Sequence, residues 1–277
     1  MNALKDQHVL ILGLGISGLS MARWCVRHGA VVTVADTRGN PPSLAALRAE
    51  CPSVTFVAGA FDEALLARAD WNLIARSPGL PPVQLKTAHA WAQQHGASWV
   101  GELDLFAQAL RDLAQREVLP YRPQVLGITG TNGKTTVTSL TGLLLQRAGL
   151  RVAVAGNIGP ALLDVLGAAL DEEIRASAET ADEVDGQTAS EPASEADLPP
   201  RASANDAGTP ADAPADVQAE LPNADEEPQP VAPAEDDDAP LLLVPPPPEP
   251  PAPPHLPQAW VLELSSFQLD GTAGGAW

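Results

Sequence analysis

The sequence predicts an α/β protein built on parallel sheets, in two domains, with a stretch of foreign composition interrupting the second. Three observations predict it. Apolar runs of strand length alternate with segments of helical spacing from His8 to Leu170, the pattern that lays helices over parallel strands. Two glycine-rich turns, at 13–18 and 130–133, each follow an apolar run and open a helix. Residues 171–258 hold 22 Asp/Glu against only Arg175 and Arg201, together with 19 of the chain's 28 prolines.

The elements read in order. His8–Leu12 is a buried parallel strand, 13–18 the turn, and Leu19–His28 a helix stopped by Gly29. Val31–Ala35 is the second strand, ending at Asp36. Leu44–Glu50 reads as helix, Val54–Val57 as strand, Glu63–Arg68 as helix and Trp71–Ala75 as strand before the loop 76–79. Thr87–His95 has helical spacing and Ser98–Val100 is a further strand. Leu103–Gln115 is a helix leading out of this domain, and Pro120–Pro123 marks a joint. The second domain opens with the strand Gln124–Thr129 and the helix Thr136–Ala148. Val152–Ala155 is its next strand, and Pro160–Leu170 its next helix. The domain boundaries are therefore 1–118 and 119–277. Residues 171–257 are expected to form a disordered insertion, because Ala, Pro, Asp and Glu bury too little apolar surface to offset the entropy of ordering. Ala259–Leu264 then resumes as a buried strand. A surface-loop insertion of this length is tolerable because loop-closure cost grows slowly with length.

Charge excludes some functions. The chain's net charge of −19 sits in the acidic stretch, and the remainder is nearly balanced. A general nucleic-acid surface needs clustered Lys/Arg, so none is expected. Cys25 and Cys51 form no disulfide framework or metal motif. The N-terminal apolar run Val9–Leu14 is short and lacks a cleavage region, and no stretch reaches the ~18 apolar residues of a membrane span. A cytoplasmic protein without membrane insertion is expected.

Three motifs carry chemistry. Gly13-x-Gly15-x-x-Gly18 has the spacing in which one glycine allows a tight turn, one lets backbone approach a ligand and one allows close helix–strand packing. Asp36, ending the next strand, stands where a ribose-binding acid is expected. Together they predict a Rossmann-like first domain. Glycines that merely shape a turn, and an Asp36 that caps a loop, fit the same residues, and the nucleotide is left open.

The second motif is Gly130-Thr131-Asn132-Gly133-Lys134-Thr135-Thr136. Its backbone N–H groups and helix dipole suit phosphate oxygens. Lys134 suits the β/γ-phosphates and a hydroxyl of Thr135 or Thr136 suits magnesium, which predicts an ATP site. Ile128 stands where the strict phosphate-loop pattern has its first glycine. The third motif is Glu263, at the C-terminal end of an apolar strand beside that loop, a candidate magnesium ligand or a strand-end cap. Asn157, in the turn 156–159, is open between a ligand contact and a turn residue.

Taken together these stretches resemble the Mur ligase family, and its D-glutamate-adding branch in particular. The resemblance lies in 127–136, 155–159 and Leu262-Glu-Leu-Ser-Ser-Phe-Gln-Leu269, and in 13–20, Asp36-Thr37-Arg38, Ser77-Pro78-Gly79 and 101–106. It implies a Rossmann-like N-terminal domain followed by an incomplete P-loop-type ATPase domain with a parallel sheet. By resemblance the first domain binds the UDP part of UDP-N-acetylmuramoyl-L-alanine through Gly15, Ile16, Ser17, Asp36, Thr37, Arg38, Ser77 and Gly79. Gly130, Thr131, Asn132, Gly133, Lys134, Thr135 and Thr136 bind ATP, and Thr135 and Glu263 hold Mg2+. Lys134, Asn157 and Ser265 match positions at the transferred phosphate and substrate. The implied reaction forms an acyl phosphate that the amine of D-glutamate attacks. The family continues with a histidine, a modified lysine and a C-terminal domain not found after Asp270, so a truncated chain, inactive alone, is expected, with an exposed sheet edge. A folylpolyglutamate-synthase-like ligase, a dehydrogenase and a non-catalytic UDP-muramoyl-peptide-binding protein are the competing readings.

Overall fold

A computed structural model describes residues 2–157, 159–187 and 253–269. The first sheet has five parallel strands: β1 (His8–Leu12), β2 (Val31–Asp36), β3 (Thr55–Ala58), β4 (Leu73–Arg76) and β5 (Ser98–Gly101), in the order β3-β2-β1-β4-β5. β1 is central, and Val9 to Leu12 are wholly buried because helices cover both faces of the sheet. Its register pairs Leu12 with Ala35 on one side and Arg76 on the other. The C-terminal ends of β1, β2 and β4 thus meet where the strand order reverses, the place where such sheets bind ligands.

Helices α1 (Ile16–Arg27), α2 (Leu44–Glu50), α3 (Glu63–Leu66), α4 (Pro82–His95) and α5 (Glu102–Ala114) connect and cover these strands. Two of them begin earlier than their apolar spacing predicts. α1 starts directly after Gly15, and α4 starts at Pro82 with Pro81 as its N-cap. Proline suits a first turn, where its missing N–H has no partner to lose.

The second sheet has three parallel strands, β6 (Gln124–Ile128), β7 (Val152–Gly156) and β8 (Ala259–Glu263), in the order β6-β8-β7. α6 (Lys134–Arg147) links β6 to β7, α7 (Leu162–Gln187) follows β7, and the short α8 (Ser266–Leu269) follows β8. β8 is buried along its whole length, while β6 is largely exposed. Val125 and Leu126 on β6, and Val137, Leu140, Leu143 and Leu144 on α6, stand in solvent. The expected open edge is therefore present among the described residues.

The expectation that residues 171–257 are disordered is corrected at both ends. α7 continues to Gln187 rather than ending at Leu170. Ala and Glu are both strong helix formers, and the first domain supplies partners. Arg23 reaches Asp164 at 2.8 Å, Arg27 reaches Asp171 at 2.6 Å and Arg116 reaches Glu173 at 2.9 Å. At the other end Leu256 is wholly buried, and Arg151 donates to the carbonyls of Leu256 and Pro253. Residues 188–252 lie outside the described residues.

One apolar core runs through both sheets, joining Val9, Trp24 and Phe106 to Leu162, Trp260 and Leu262. Tyr121 is the pivot between them. Its hydroxyl donates to the Pro257 carbonyl at 2.6 Å and accepts from the Trp260 indole at 2.7 Å. The Trp260 ring meets Phe106 edge-on at 4.8 Å, a favoured aromatic geometry.

Candidate functional site

The structure holds two candidate sites, one at the C-terminal end of each sheet. The first is a cleft of about 440 Å³ lined by Gly13, Gly15, Ile16, Ser17, Asp36, Thr37, Arg38 and 77–80. All eight residues expected on the UDP side face this one space. Gly13 has φ +88°, and a Cβ there would press Ser77 and Leu80 at 3.1 Å. A Cβ on Gly18 would lie 2.0 Å from the Gly13 carbonyl, so only glycine lets α1 start this close to β1. Gly15 faces open space, which leaves room for a ligand against backbone. The three glycines thus divide the roles that their spacing predicts. The Ser77 hydroxyl donates to the Gly13 carbonyl at 2.9 Å, tying the 77–80 loop to the turn.

Asp36 is only 1% exposed. It accepts from the Leu14 amide at 2.7 Å, and from the Arg38 amide, Nε and Nη2 at 2.8–2.9 Å. Burial alone would raise its carboxyl, but the Arg38 guanidinium and the two backbone amides outweigh that and hold it at about 2. In this arrangement the carboxylate is saturated by the chain itself. Its work is to fix the glycine turn and hold the Arg38 fork, 54% exposed, at the cleft mouth. A ribose hydroxyl would have to share or displace one of these bonds.

The second site gathers at the ends of β6, β7 and β8. Gly133, at φ +75°, is the N-cap of α6, with Lys134, Thr135 and Thr136 as its first turn. Gly130 (φ +145°), Thr131 and Asn132 form the approach loop. The first-turn amides give the anion-binding geometry of a helix N-terminus. Glu263, 2% exposed, accepts from the Thr135 hydroxyl at 2.8 Å and from the Asn157 side-chain amide at 3.3 Å. The Asn157 backbone amide donates to the Glu263 carbonyl at 2.8 Å, and Gly156 permits that approach, since a Cβ there would lie 2.3 Å from this carbonyl. Residues far apart in sequence are thus brought together around one carboxylate.

Lys134 and Ser265 are held within their own loops instead. Lys134 Nζ donates to the Gly130 carbonyl at 2.8 Å. The Ser265 hydroxyl donates to Gln268 Oε1 at 3.1 Å, which also accepts the Ser265 amide. The donors at Glu263 suit a hard divalent cation: a buried carboxylate whose hydrogen-bond partners are neutral, and a hydroxyl beside it. No group of three or more His, Cys, Asp or Glu that could hold a metal stands among the described residues, so further ligands would come from phosphate and water. Sequence reasoning gave no role to Leu14, whose amide offers no side-chain signal, or to Gln268, whose role depends on the α8 turn.

A glycine-turn cleft on one parallel sheet and a G-K-T-T helix start on another give this α/β fold two candidate anion-binding sites. Residues 7–101 match the family model described as Mur ligase MurD-like, N-terminal domain. The chain is 60% identical over 166 residues to the UDP-N-acetylmuramoylalanine--D-glutamate ligase of Albidiferax ferrireducens, covering 60% of this chain and 32% of that protein. It is 57% identical over 166 residues to the same-named ligase of Burkholderia multivorans, covering 59% and 32%. A solved UDP-N-acetylmuramate:L-alanyl-gamma-D-glutamyl-meso-diaminopimelate ligase from Neisseria meningitides is 22% identical, covering 54% of this chain and 42% of that one. The TM-score of that match is 0.36. The chain spans about a third of the length of the curated relatives it matches.

Proposed function

We propose that this chain supplies the UDP-N-acetylmuramoyl-L-alanine site and part of the ATP site of a ligase that adds D-glutamate to that nucleotide. The observation that supports it most is the convergence of Gly15, Ile16, Ser17, Asp36, Thr37, Arg38, Ser77 and Gly79 on one cleft. In this reading the free amides at the start of α1 take the diphosphate, and the Arg38 fork, braced by Asp36, faces the uridine side. At the second site Lys134 leaves the Gly130 carbonyl for the γ-phosphate, and the α6 amides cradle the rest of ATP. The substrate carboxylate attacks that phosphate, the β–γ phosphoanhydride bond breaks and ADP leaves; a magnesium ion held by Glu263 and Thr135 would neutralise the charge on the phosphates. Asn157 orients Glu263 and lies beside the reacting groups with Ser265. The amine of D-glutamate then attacks the acyl phosphate, the amide bond forms and phosphate leaves. The protein's contribution is positioning anions against fixed donors. Its place of work is the cytoplasm, where these precursors and ATP meet.

Calorimetric titration with UDP-N-acetylmuramoyl-L-alanine, with NAD as the control, tests the reading. Binding of the muramoyl nucleotide and not of NAD is the expected result. Binding of NAD alone would replace it with a dehydrogenase-like site.

A further inference from the structure

One pocket of the first domain belongs to neither candidate site. It has a volume of about 280 Å³ and shares no residue with the UDP cleft. Leu73 of β4 and Val100 of β5 line it from the sheet, Trp24 from α1, and Asp104, Leu105 and Ala109 from α5. Leu4 and Gln7, in the segment ahead of β1, close another side. That segment is anchored. The Asp6 amide donates to the Gly29 carbonyl at 2.9 Å, and the Gln7 carbonyl accepts from the Val31 amide at 2.8 Å. Protein interiors leave few voids larger than a water molecule, so an apolar space of this size between packed elements calls for an occupant. Its volume stands near the lower end for small-molecule sites, which suits a compact ligand of one ring system.

The polar groups of the pocket say what that ligand carries. At the rim Gln108 donates to Asp112 at 2.7 Å, and the exposed Arg111 donates to Gln108 at 2.8 Å. His28 Nδ1 donates to the Trp24 carbonyl at 2.8 Å, and burial holds its ring below its ordinary pKa, so at neutral pH it adds no positive charge. Asp104 differs. Its Oδ2 accepts from the Gly101 amide at 2.7 Å. Its Oδ1 is shut off from solvent and has no hydrogen-bond partner among the described residues. A buried acceptor left unpaired is costly. A donor entering the pocket beside Asp104 would pair it, and a positively charged donor would do so most strongly.

We propose that this pocket is a binding site for a small arylalkylammonium ion. Its ring packs among Trp24, Leu73 and Leu105, and its ammonium group donates to Asp104. Apolar walls supply most of the contact, and the one carboxylate sets the sign of the charge that is accepted. A carboxylate on the same ring would meet Asp104 as a like charge and be refused. The site stands apart from the two-site reading above and does not depend on it.

The test is NMR titration of the isotope-labelled 277-residue chain with tryptamine, and separately with indole-3-propionate, which carries the same ring and the opposite charge. Tryptamine should bind saturably with a Kd below about 1 mM. It should shift the amides of Leu4, Leu105 and Ala109 and leave those of Gly15 and Ser17 in place. Indole-3-propionate should bind at least about tenfold more weakly. Asp104→Asn keeps an oxygen for the Gly101 amide and removes the charge. It should weaken tryptamine about tenfold or more and bring the two compounds to within about threefold of each other. An Asp104 that only caps its helix would leave the preference intact. Absence of saturable tryptamine binding, shifts centred outside the pocket, equal binding of the two compounds to wild type, or an unchanged preference in Asp104→Asn each overturns the proposal. Should Asp104→Asn not fold, the wild-type comparison decides: preference for the cation, with shifts at the pocket, upholds the site, and its absence refutes it. Binding of the muramoyl nucleotide is read separately by the calorimetry above, so either result can fail without the other.

Discussion

At the scale of single residues, Asp36 and Arg38 set the chemistry of the first cleft. The folded carboxyl titrates at about 2, below its unfolded value of ~3.9. Its stabilisation is therefore complete above pH ~4 and is lost as pH falls through 2. With Arg38 half in solvent, about 1–2 kcal/mol is expected to disappear over that window. Denaturant titrations of wild type and Arg38→Ala at pH 5 and pH 2.5 should show the variant losing less than wild type. The same variant should bind the muramoyl nucleotide about 10–100-fold more weakly, since a charge-assisted bond is worth ~1.5–3 kcal/mol. Gly18→Ala faces backbone and not a flexible side chain, so its cost should exceed ~2 kcal/mol in thermal unfolding. The glycine spacing was legible in the sequence because each glycine answers a local steric demand. The saturation of Asp36 was not, because it depends on where the Arg38 fork turns and on an amide that any residue would offer. Nor was the place of Glu102, which accepts from the Leu163 amide 61 residues away in sequence.

Among the elements, α7 shows where composition misleads. The stretch after Leu170 is acidic enough to read as solvated chain, yet Asp171 and Glu173 meet Arg27 and Arg116, extending the pairing that Asp164 makes with Arg23 earlier in the helix. Pairs this exposed contribute roughly 0.2–1 kcal/mol each and are screened by salt. The melting temperature should fall by a few degrees between 0.1 and 1 M NaCl, and Arg116→Ala should remove part of that dependence. A flat salt profile would mean that the helix is held by its apolar face alone. Strand identities were legible throughout the first sheet, where short β-branched runs stand between glycine and polar turns. Helix starts such as Pro82 were not, because apolar spacing begins only once a helix reaches the core. Tyr121 reads in sequence as part of a proline-flanked joint, but it supplies the partner of a buried indole. Tyr121→Phe leaves the Trp260 N–H without its acceptor and should cost about 1–3 kcal/mol in denaturant unfolding.

For the whole molecule, the two sheets differ in completeness. The first is closed by helices on both faces, while β6 and α6 present Val125, Val137, Leu140 and Leu144 to water. Surfaces of this kind associate. Light scattering of the purified chain should rise with concentration, and the pair Leu140→Glu and Leu144→Glu should suppress it without changing muramoyl-nucleotide affinity. Unchanged scattering in the double variant would place the sticky surface elsewhere.

The position of β8 sets an order of events during synthesis. The first sheet can form as its consecutive strands leave the ribosome, since every strand it needs lies between His8 and Gly101. The second cannot, because the strand that separates β6 from β7 is made about 100 residues after β7. At ~5–20 residues per second, that is an interval on the order of 5–20 s. Throughout it β6 and β7 have no native neighbour to pair with. A nascent chain thus carries a finished domain ahead of an open one, and a chaperone that shields strand edges has its window in those seconds.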